Sequence, residues 1–437
     1  MMYQIYSSTK QLIKKLLPNW LIKQGVNYFH WLETVVAIVI NGWPSRSMRI
    51  VGITGTNGKT TAAIMTAGML EHAGFDVGLN STAQIGWLGD YRSNEFSMTT
   101  ANPFQLHKLL RQMKRDGVGI VVMEVASHAL VQHRVFGLNI EVAAITNLTP
   151  DHLDYHKTMD NYAAAKGKLF TGNPPHIVVN ADDKWNEYYS SFPTHDLITY
   201  GTGVDSTLRL TKAKLGKTGT DITVAIDGKE IDTRVNMPGR FNVYNALTAM
   251  SISYALGLSH SEIAKSLAVI EPAPGRMEII DEGQGFNVIV DYAHTADAVE
   301  NVLDTVRQTL SGRLIAVIGG DGGRDPQRLA PFGLAAANRA EMVIVTDQEP
   351  HPDDPDELRQ RVIEGAEGSD SAVVIKEIPD RQDAIAAAFE YAKPADAVVI
   401  TGLGHQSTRY MNEGKINWDD REVARKQLKI IVNDPEG

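Results

Sequence analysis

The chain has 437 residues, 43% hydrophobic and 22% charged, a soluble globular composition long enough for two or three separate cores. Its formal net charge of -10 argues against a nucleic-acid partner. It has no cysteine, which excludes disulfides, thiolate metal sites and cysteine nucleophiles and fits a reducing, cytoplasmic setting.

Near the N-terminus no apolar core is followed by a small-residue cleavage site. Residues 1–46 read as a short amphipathic helical segment, two helices broken at Pro18 and closed by Gly42-Trp43-Pro44. The apolar stretch from Tyr28 to Trp43 carries Glu33 and Asn41 and is too short and interrupted to span a bilayer. Packing onto the next unit is the expectation for this segment; lying on a membrane surface is the alternative.

Next comes an apolar run, Met48 to Ile53, then a glycine-rich loop, then an alanine-rich helical pattern from Thr61 to Ala73. Strand, glycine loop and helix together cradle a nucleotide phosphate, because backbone N–H groups and the helix N-terminus face the anion. The candidate phosphate binders are Gly55, Thr56, Asn57, Gly58, Lys59, Thr60 and Thr61. Lys59 brings a point charge and a threonine hydroxyl can hold Mg²⁺. The strict spacing puts a glycine at position 53; Ile53 stands there and the glycine is Gly52.

Beyond the loop, β-branched runs at Gly119 to Val125, Val142 to Thr146 and His176 to Asn180 read as parallel strands of a covered sheet. Helical patterns at Phe104 to Arg115 and Asn161 to Phe170 lie between them. Alternation with glycine turns over about residues 197–236 predicts a small antiparallel insertion, followed by a helix from Asn242 to Leu256. The cluster Glu271-Pro272-Ala273-Pro274-Gly275 marks a boundary. Strands are expected after it at Asn287 to Asp291, Leu314 to Gly319, Met342 to Thr346, Ala372 to Ile375 and Ala397 to Thr401. The organisation is α/β: a P-loop unit over 47–272 with a parallel sheet, then a Rossmann-like unit over 273–437. The loop Gly319 to Gly323 fails the dinucleotide fingerprint, since Asp325 replaces its third glycine, so a nicotinamide enzyme is disfavoured.

Several residues stand where chemistry is expected. Glu124 ends a strand beside the P-loop strand and reads as a Mg²⁺ ligand or a helix-capping carboxylate. Asp151-His152-Leu153-Asp154-Tyr155-His156 lacks the glutamate of a zinc metalloprotease and suits a hard cation near phosphates, or a solvated loop. Lys166, with small residues on either side, reads by itself as a surface lysine. Arg276, Asp291 and His294 follow the boundary; Asp291 ends a strand and can accept from a ribose hydroxyl.

Taken together, the P-loop, Met-Glu-Val-Ala-Ser-His, Asp-His-Leu-Asp-Tyr-His, Ala-Ala-Lys, Gly-Arg-Phe-Asn-Val-Tyr-Asn-Ala, Gly-Arg-Met-Glu and Asp-Tyr-Ala-His-Thr occur in that order. This series resembles the Mur ligase family over about residues 46 to 410, most closely its UDP-N-acetylmuramoyl-tripeptide synthetase branch. The resemblance implies an ATP-dependent amide ligase of peptidoglycan precursor synthesis working through an acyl phosphate. It implies Lys59 on the β/γ-phosphates, Thr60 and Glu124 on one Mg²⁺, and His152 on a second with Lys166, a position carbamylated in the family. Asn242 and Asn245 resemble adenine-side residues, and Arg276, Asp291 and His294 would reach ATP from the second unit. Thr99, Thr100, Asn102, Ser127, His128 and Arg134 resemble the muramoyl-peptide segments. Arg324, His351, His405 and Gln406 fall where the amino acid is read.

Two departures qualify the resemblance. About 45 helical residues precede the P-loop, where the family carries a nucleotide-gripping domain of roughly a hundred residues. The donor is then held differently or linked to a lipid. Gln348-Glu349-Pro350-His351 and Gly402-Leu403-Gly404-His405-Gln406 also depart from the diaminopimelate-adding pattern, which has Asp-Asn-Pro-Arg and Gly-Lys-Gly-His-Glu. The acidic run Glu349, Asp353, Asp354 points to a basic amino acid or is a solvated face. The expected partners are a muramoyl peptide and one amino acid, with the protein a monomer and membrane contact through residues 1–45 not favoured. The alternatives are a related ligase on a lipid-linked or polyglutamyl acceptor, and a non-catalytic nucleotide switch.

Overall fold

The computed structural model describes residues 19–94 and 99–433. The first of the two expected N-terminal helices lies outside the described residues. The second runs Asn19–Asn41, beginning directly after Pro18. It stops at Gly42, whose φ of 72° only glycine adopts without penalty, and the Trp43 N–H closes it on Ile38 O at 3.0 Å. Thr34, Ala37 and Ile38 are buried as this helix packs on the helix Pro103–Arg115.

The first sheet has eleven strands in chain order: β1 Arg49–Thr54, β2 Val77–Asn80, β3 Gln84–Trp87, β4 Asp90–Ser93, β5 Ile120–Glu124, β6 Ile140–Ile145, β7 His176–Asn180, β8 Asp196–Gly201, β9 Leu208–Leu215, β10 Thr220–Ile226 and β11 Lys229–Val235. Their spatial order is β11-β10-β9-β8-β7-β6-β1-β5-β2-β3-β4. From β9 to β2 every pairing is parallel; β3-β4 and β10-β11 add antiparallel rims. The antiparallel part expected over 197–236 therefore continues the main sheet, and β8 belongs to its parallel set. Successive residues of β1 feed opposite cores. Val51 and Ile53 pack under the helices Lys59–His72 and Arg240–Ala255, and Ile50 under Pro103–Arg115 and Met159–Gly167. Burial on both faces explains why these strands read as unbroken apolar runs.

The second sheet comprises β12 Glu278–Ile280, β13 Asn287–Asp291, β14 Leu314–Asp321, β15 Met342–Glu349, β16 Val374–Glu377 and β17 Ala397–Thr401, ordered β12-β13-β17-β14-β15-β16. Only β12 runs antiparallel. β14 and β15 outrun the expected ends at Gly319 and Thr346. They stay paired through Gly320↔Asp347 and Asp321↔Glu349, which carries three carboxylates to the sheet's C-terminal edge. One apolar cluster runs from Val51 in the first sheet to Val399 in the second.

Candidate active site

The phosphate loop spans β1 and the helix Lys59–His72. Gly55 has φ 146°, and a Cβ there would stand 1.9 Å from Thr146 Oγ1; at Gly58, φ is 82° and a Cβ would stand 2.0 Å from Asn245 Oδ1. Gly52 has a different task. It sits inside β1, where a Cβ would meet Leu169 Cδ1 at 2.9 Å, so it makes room for packing rather than phosphate. The turn is lashed to the segment after β6. Thr56 N–H donates to Asn147 O at 3.0 Å, Asn57 N–H to Asn147 Oδ1 at 2.9 Å, and Thr146 Oγ1 to Asn57 O at 2.7 Å. Two loop amides are thus committed. The first turn of a helix has no internal acceptors, so Lys59, Thr60 and Thr61 bring the amides that face an anion.

Lys59 Nζ donates to Thr56 O at 2.7 Å, and burial lowers its pKa against the pull of Glu124 and Asp151. Thr60 Oγ1 donates to Glu124 Oε2 at 2.9 Å, as do Thr82 N at 2.8 Å and Thr82 Oγ1 at 2.9 Å. Glu124 is thus a held carboxylate at the end of β5, not a helix cap. Lys166 is not a surface lysine. It is buried, donates from Nζ to Gly55 O at 2.6 Å, and lies over the Tyr162 ring. Burial, then repulsion from Lys59, holds its pKa well below the usual lysine value.

His152 has φ 54°, and its Nε2 lies 3.4 Å from Asp151 Oδ2. Burial brings its pKa to about 4 despite Asp151, so the ring is neutral near pH 7 and its nitrogen can serve as a donor atom. Burial works to raise the Asp151 carboxyl pKa, but His152, His294 and Lys59 outweigh it and leave it below the usual range. Thr60 Oγ1 and Glu124 Oε2 are hard oxygen donors of the kind Mg²⁺ takes. Among the described residues no group of three or more His, Asp or Glu side chains is arranged to hold a metal.

The expected acceptor residues gather beside this centre. Thr99 Oγ1 lies 3.1 Å from Thr82 Oγ1, and Arg134 Nη1 donates to Thr100 O at 2.8 Å. Ser127 Oγ lies 3.0 Å from His156 Nε2, and the His128 ring is 4.9 Å from His152. Asn102 instead caps the helix Pro103–Arg115, its Oδ1 accepting from Gln105 N at 3.0 Å.

Between the sheets lies a cavity of about 380 Å³, lined by Asn57, Asn242, Asn245, Arg276, Asp291 and His294 among others. Asn245 Nδ2 donates to Asn242 Oδ1 at 3.1 Å. Arg276 lies over the Tyr292 ring and reaches Thr60 Oγ1 at 3.2 Å. Asp291 accepts from Met277 N and Ala293 N, both at 2.7 Å, and burial raises its pKa. His294 is brought to about 4 by burial and by Arg324. A second contact joins the sheets: Asn57 Nδ2 donates to Asp297 Oδ2 at 2.7 Å.

At the edge of β14 and β15, Asp321 pairs with Arg324 at 3.1 Å and with Arg328. Glu349 pairs with no cation among the described residues. It accepts from Gln406 Nε2 and Tyr410 N, both at 3.2 Å, and burial raises its pKa. Asp353 binds Gly323 N and Asp354 caps the helix Pro355–Glu367, so the acidic run splits into one site carboxylate and two structural ones. His351 is exposed, whereas His405 is buried against Tyr292, with its pKa near 3 through burial and Arg276. Sequence reasoning missed Asn147 and Asp297. Asn147 follows the strand next to β1, a position that signals a site; Asp297 reads as an acidic residue in a helix's first turn.

Comparison with known proteins adds to this geometry. The Mur ligase middle domain matches residues 53–253, and the Mur ligase glutamate ligase domain matches residues 275–404. The chain is 38% identical over 403 residues to the UDP-N-acetylmuramoyl-L-alanyl-D-glutamate–2,6-diaminopimelate ligase of Geobacillus thermodenitrificans, covering 90% of this chain and 82% of that one. It is 40% identical over 414 residues to the Corynebacterium efficiens protein of the same name, covering 92% and 78%. A solved structure of such a ligase superposes with a TM-score of 0.63 at 29% identity, covering 90% of this chain and 83% of its own. Mycobacterium tuberculosis folylpolyglutamate synthase shares the fold, with a TM-score of 0.71 at 18% identity over 85% and 92%.

Proposed function

Because the chain belongs to the Mur ligase family, we propose that it is an ATP-dependent, ADP-forming ligase that joins an amino acid to the carboxylate of a muramoyl peptide in peptidoglycan precursor synthesis. The observation that carries this reading is the gathering of Lys59, Glu124, His152 and Lys166 at the phosphate loop, beside a cavity lined from both sheets. A nucleotide switch needs the loop; it does not need the second cluster.

An acceptor carboxylate oxygen attacks the γ-phosphorus as the bond to ADP breaks, giving an acyl phosphate. The amine then adds to the acyl carbon, and phosphate leaves as the nitrogen gives up a proton. Phosphoryl transfer of this kind depends on positioning and charge neutralisation. Lys59 and the helix amides meet the γ-phosphate; Asn242 and Asn245 border the base, Asp291 the ribose, and Arg276 ties the second sheet to Thr60. Mg²⁺, when bound, neutralises phosphate charge: Thr60 and Glu124 would hold one ion, and His152 with Lys166 a second. Burial and repulsion from Lys59 shift Lys166 towards the neutral amine that carbamylation consumes, and an anionic carbamate would turn that repulsion into attraction. Thr99, Thr100, Ser127, His128 and Arg134 orient the acceptor. In this division residues 47–272 bind ATP and the acceptor, and residues 273–437 receive the amino acid.

For that amino acid we favour a side chain ending in a cation. Arg324 offers its guanidinium to the α-carboxylate. Glu349 is a half-buried carboxylate in no direct ion pair among the described residues, its pKa raised by burial against the weaker pull of Arg324, and a ligand ammonium relieves that cost. Phosphate release in ATP and Mg²⁺ tests the whole reading. It should require both UDP-N-acetylmuramoyl-dipeptide and one amino acid, with lysine or ornithine ahead of diaminopimelate. Release with diaminopimelate alone removes the cation assignment and keeps the ligase; no release with any amino acid removes both.

A further inference from the structure

From Tyr28 on, the helix Asn19–Asn41 leaves one face outward, and that face is not polar. From residue 28 to residue 40 the exposed positions are Tyr28, Trp31, Leu32, Val36, Val39 and Ile40, and no charged or polar residue is among them. Tyr28 is 77% exposed and Val39 71%. The strip follows helical spacing along one face and continues into Trp43 and Phe136; the Trp31 and Phe136 rings lie 6.0 Å apart. A helix packed on a protein turns its apolar stripe inward and its polar face to water. Here Thr34 is fully buried while Val39 stands in solvent. A contiguous apolar patch of this kind marks an interaction surface.

Charge identifies the partner. The first 32 residues hold Lys10, Lys14, Lys15 and Lys23 and no acidic residue, in a chain whose net charge is -10. Trp20, Trp31 and Trp43 are three of its six tryptophans. At the far end Arg46 lies over the Trp43 ring, 4.8 Å from its centroid. Aliphatic residues flanked by tryptophan, tyrosine and basic side chains suit the boundary between lipid headgroups and acyl chains. Among the described residues no helix is long and apolar enough to cross a membrane.

We infer that the outward face of this helix seats the protein on an anionic bilayer surface through Leu32, Val36, Val39, Ile40 and Trp43. This helix packs on the helix Pro103–Arg115, whose N-cap is Asn102. The inference is independent of the ligase reading.

Sedimentation of the full chain with vesicles tests it. The protein should pellet with phosphatidylcholine vesicles that contain phosphatidylglycerol, less with pure phosphatidylcholine, and less again as salt rises. Each lysine near an anionic surface is worth about fivefold in partitioning. Leu32→Glu with Val39→Glu should cut vesicle binding by about tenfold or more, through lost burial and an added charge. Val204→Glu, at an exposed valine elsewhere, should leave binding unchanged. Melting midpoints confirm that each variant folds. Absence of vesicle binding by the unaltered chain overturns the inference. So does binding that survives the double substitution. A double variant that leaves vesicles unaffected but breaks a dimer, or that lowers the melting midpoint of a monomer, assigns the face to a second copy or to the chain's own first residues and overturns it too.

Discussion

Replacing Gly58 by alanine tests how tightly the phosphate cradle is fitted to its surroundings. Two costs add. An L residue at φ 82° adopts the left-handed conformation, at about 1–2 kcal/mol. The new methyl carbon would also stand 2.0 Å from Asn245 Oδ1 and 3.0 Å from its Cγ, so Asn245 must leave its place beside Asn242. Overpacking of that kind costs about 1–3 kcal/mol, for a total of about 2–5 kcal/mol. Gly74→Ala is the matched control. Its φ is 90°, and nothing lies within 4 Å of the added carbon, so it carries the conformational cost alone. Both variants gain the same unfolded-state stiffening, which cancels in the comparison. Urea midpoints without nucleotide should therefore fall further for Gly58→Ala, by about 1–3 kcal/mol in stability. Because Asn245 lines the cavity, KM for ATP should rise in Gly58→Ala and stay put in Gly74→Ala. Equal losses of stability in the two variants would refute the fit between loop and helix.

Lys166→Ala should lower phosphate release by about a hundredfold or more, the scale of losing one preorganised charge at a transition state, with partial recovery in a small carboxylate; full activity in the variant removes its role at the metal. Asp297→Ala deprives Asn57 of a charged acceptor worth about 1.5–3 kcal/mol, so KM for ATP should rise about tenfold with a smaller change in kcat, and an unchanged KM counts against the contact. Glu349→Gln should raise KM for a cationic amino acid about tenfold while KM for ATP stays fixed; the opposite split relocates the amino-acid site. His107 is fully buried with both ring nitrogens unpartnered among the described residues, and burial lowers its pKa from 6.5 to about 4. Above pH 6.5 neither folded nor unfolded chain holds that proton. As pH falls towards 4 only the unfolded chain takes it up, so stability drops by roughly 3 kcal/mol across that window. His107→Leu should flatten that part of the acid limb in chemical denaturation, and superposable limbs would refute it.

The parallel strands were legible because both faces are buried, which leaves runs such as Ile120–Glu124 and Ala397–Thr401 with no polar interruption. Legibility failed where tertiary pairing overrode local preference. Gly319-Gly320-Asp321 and Asp347-Gln348-Glu349 are poor strand formers, and each is extended because the other pairs with it. The short strands Val77–Asn80 and Thr408–Met411 fell below the length at which alternation shows. In the site, Lys59, Glu124 and His152 were found from motif and strand position. Lys166 was found only through the family resemblance, since three alanines beside a lysine look like a solvent-facing helix. Its burial comes from the Gly55 carbonyl, 111 residues away in sequence, which no local pattern contains.

The bond between Asn57 and Asp297 spans 240 residues, and the apolar cluster beneath it is shared by both sheets. A nucleotide bound as proposed, in the cavity between them, would hold two halves of the chain at once. Its binding energy is drawn on by both, and the melting of each half should register ligand concentration through the same linkage.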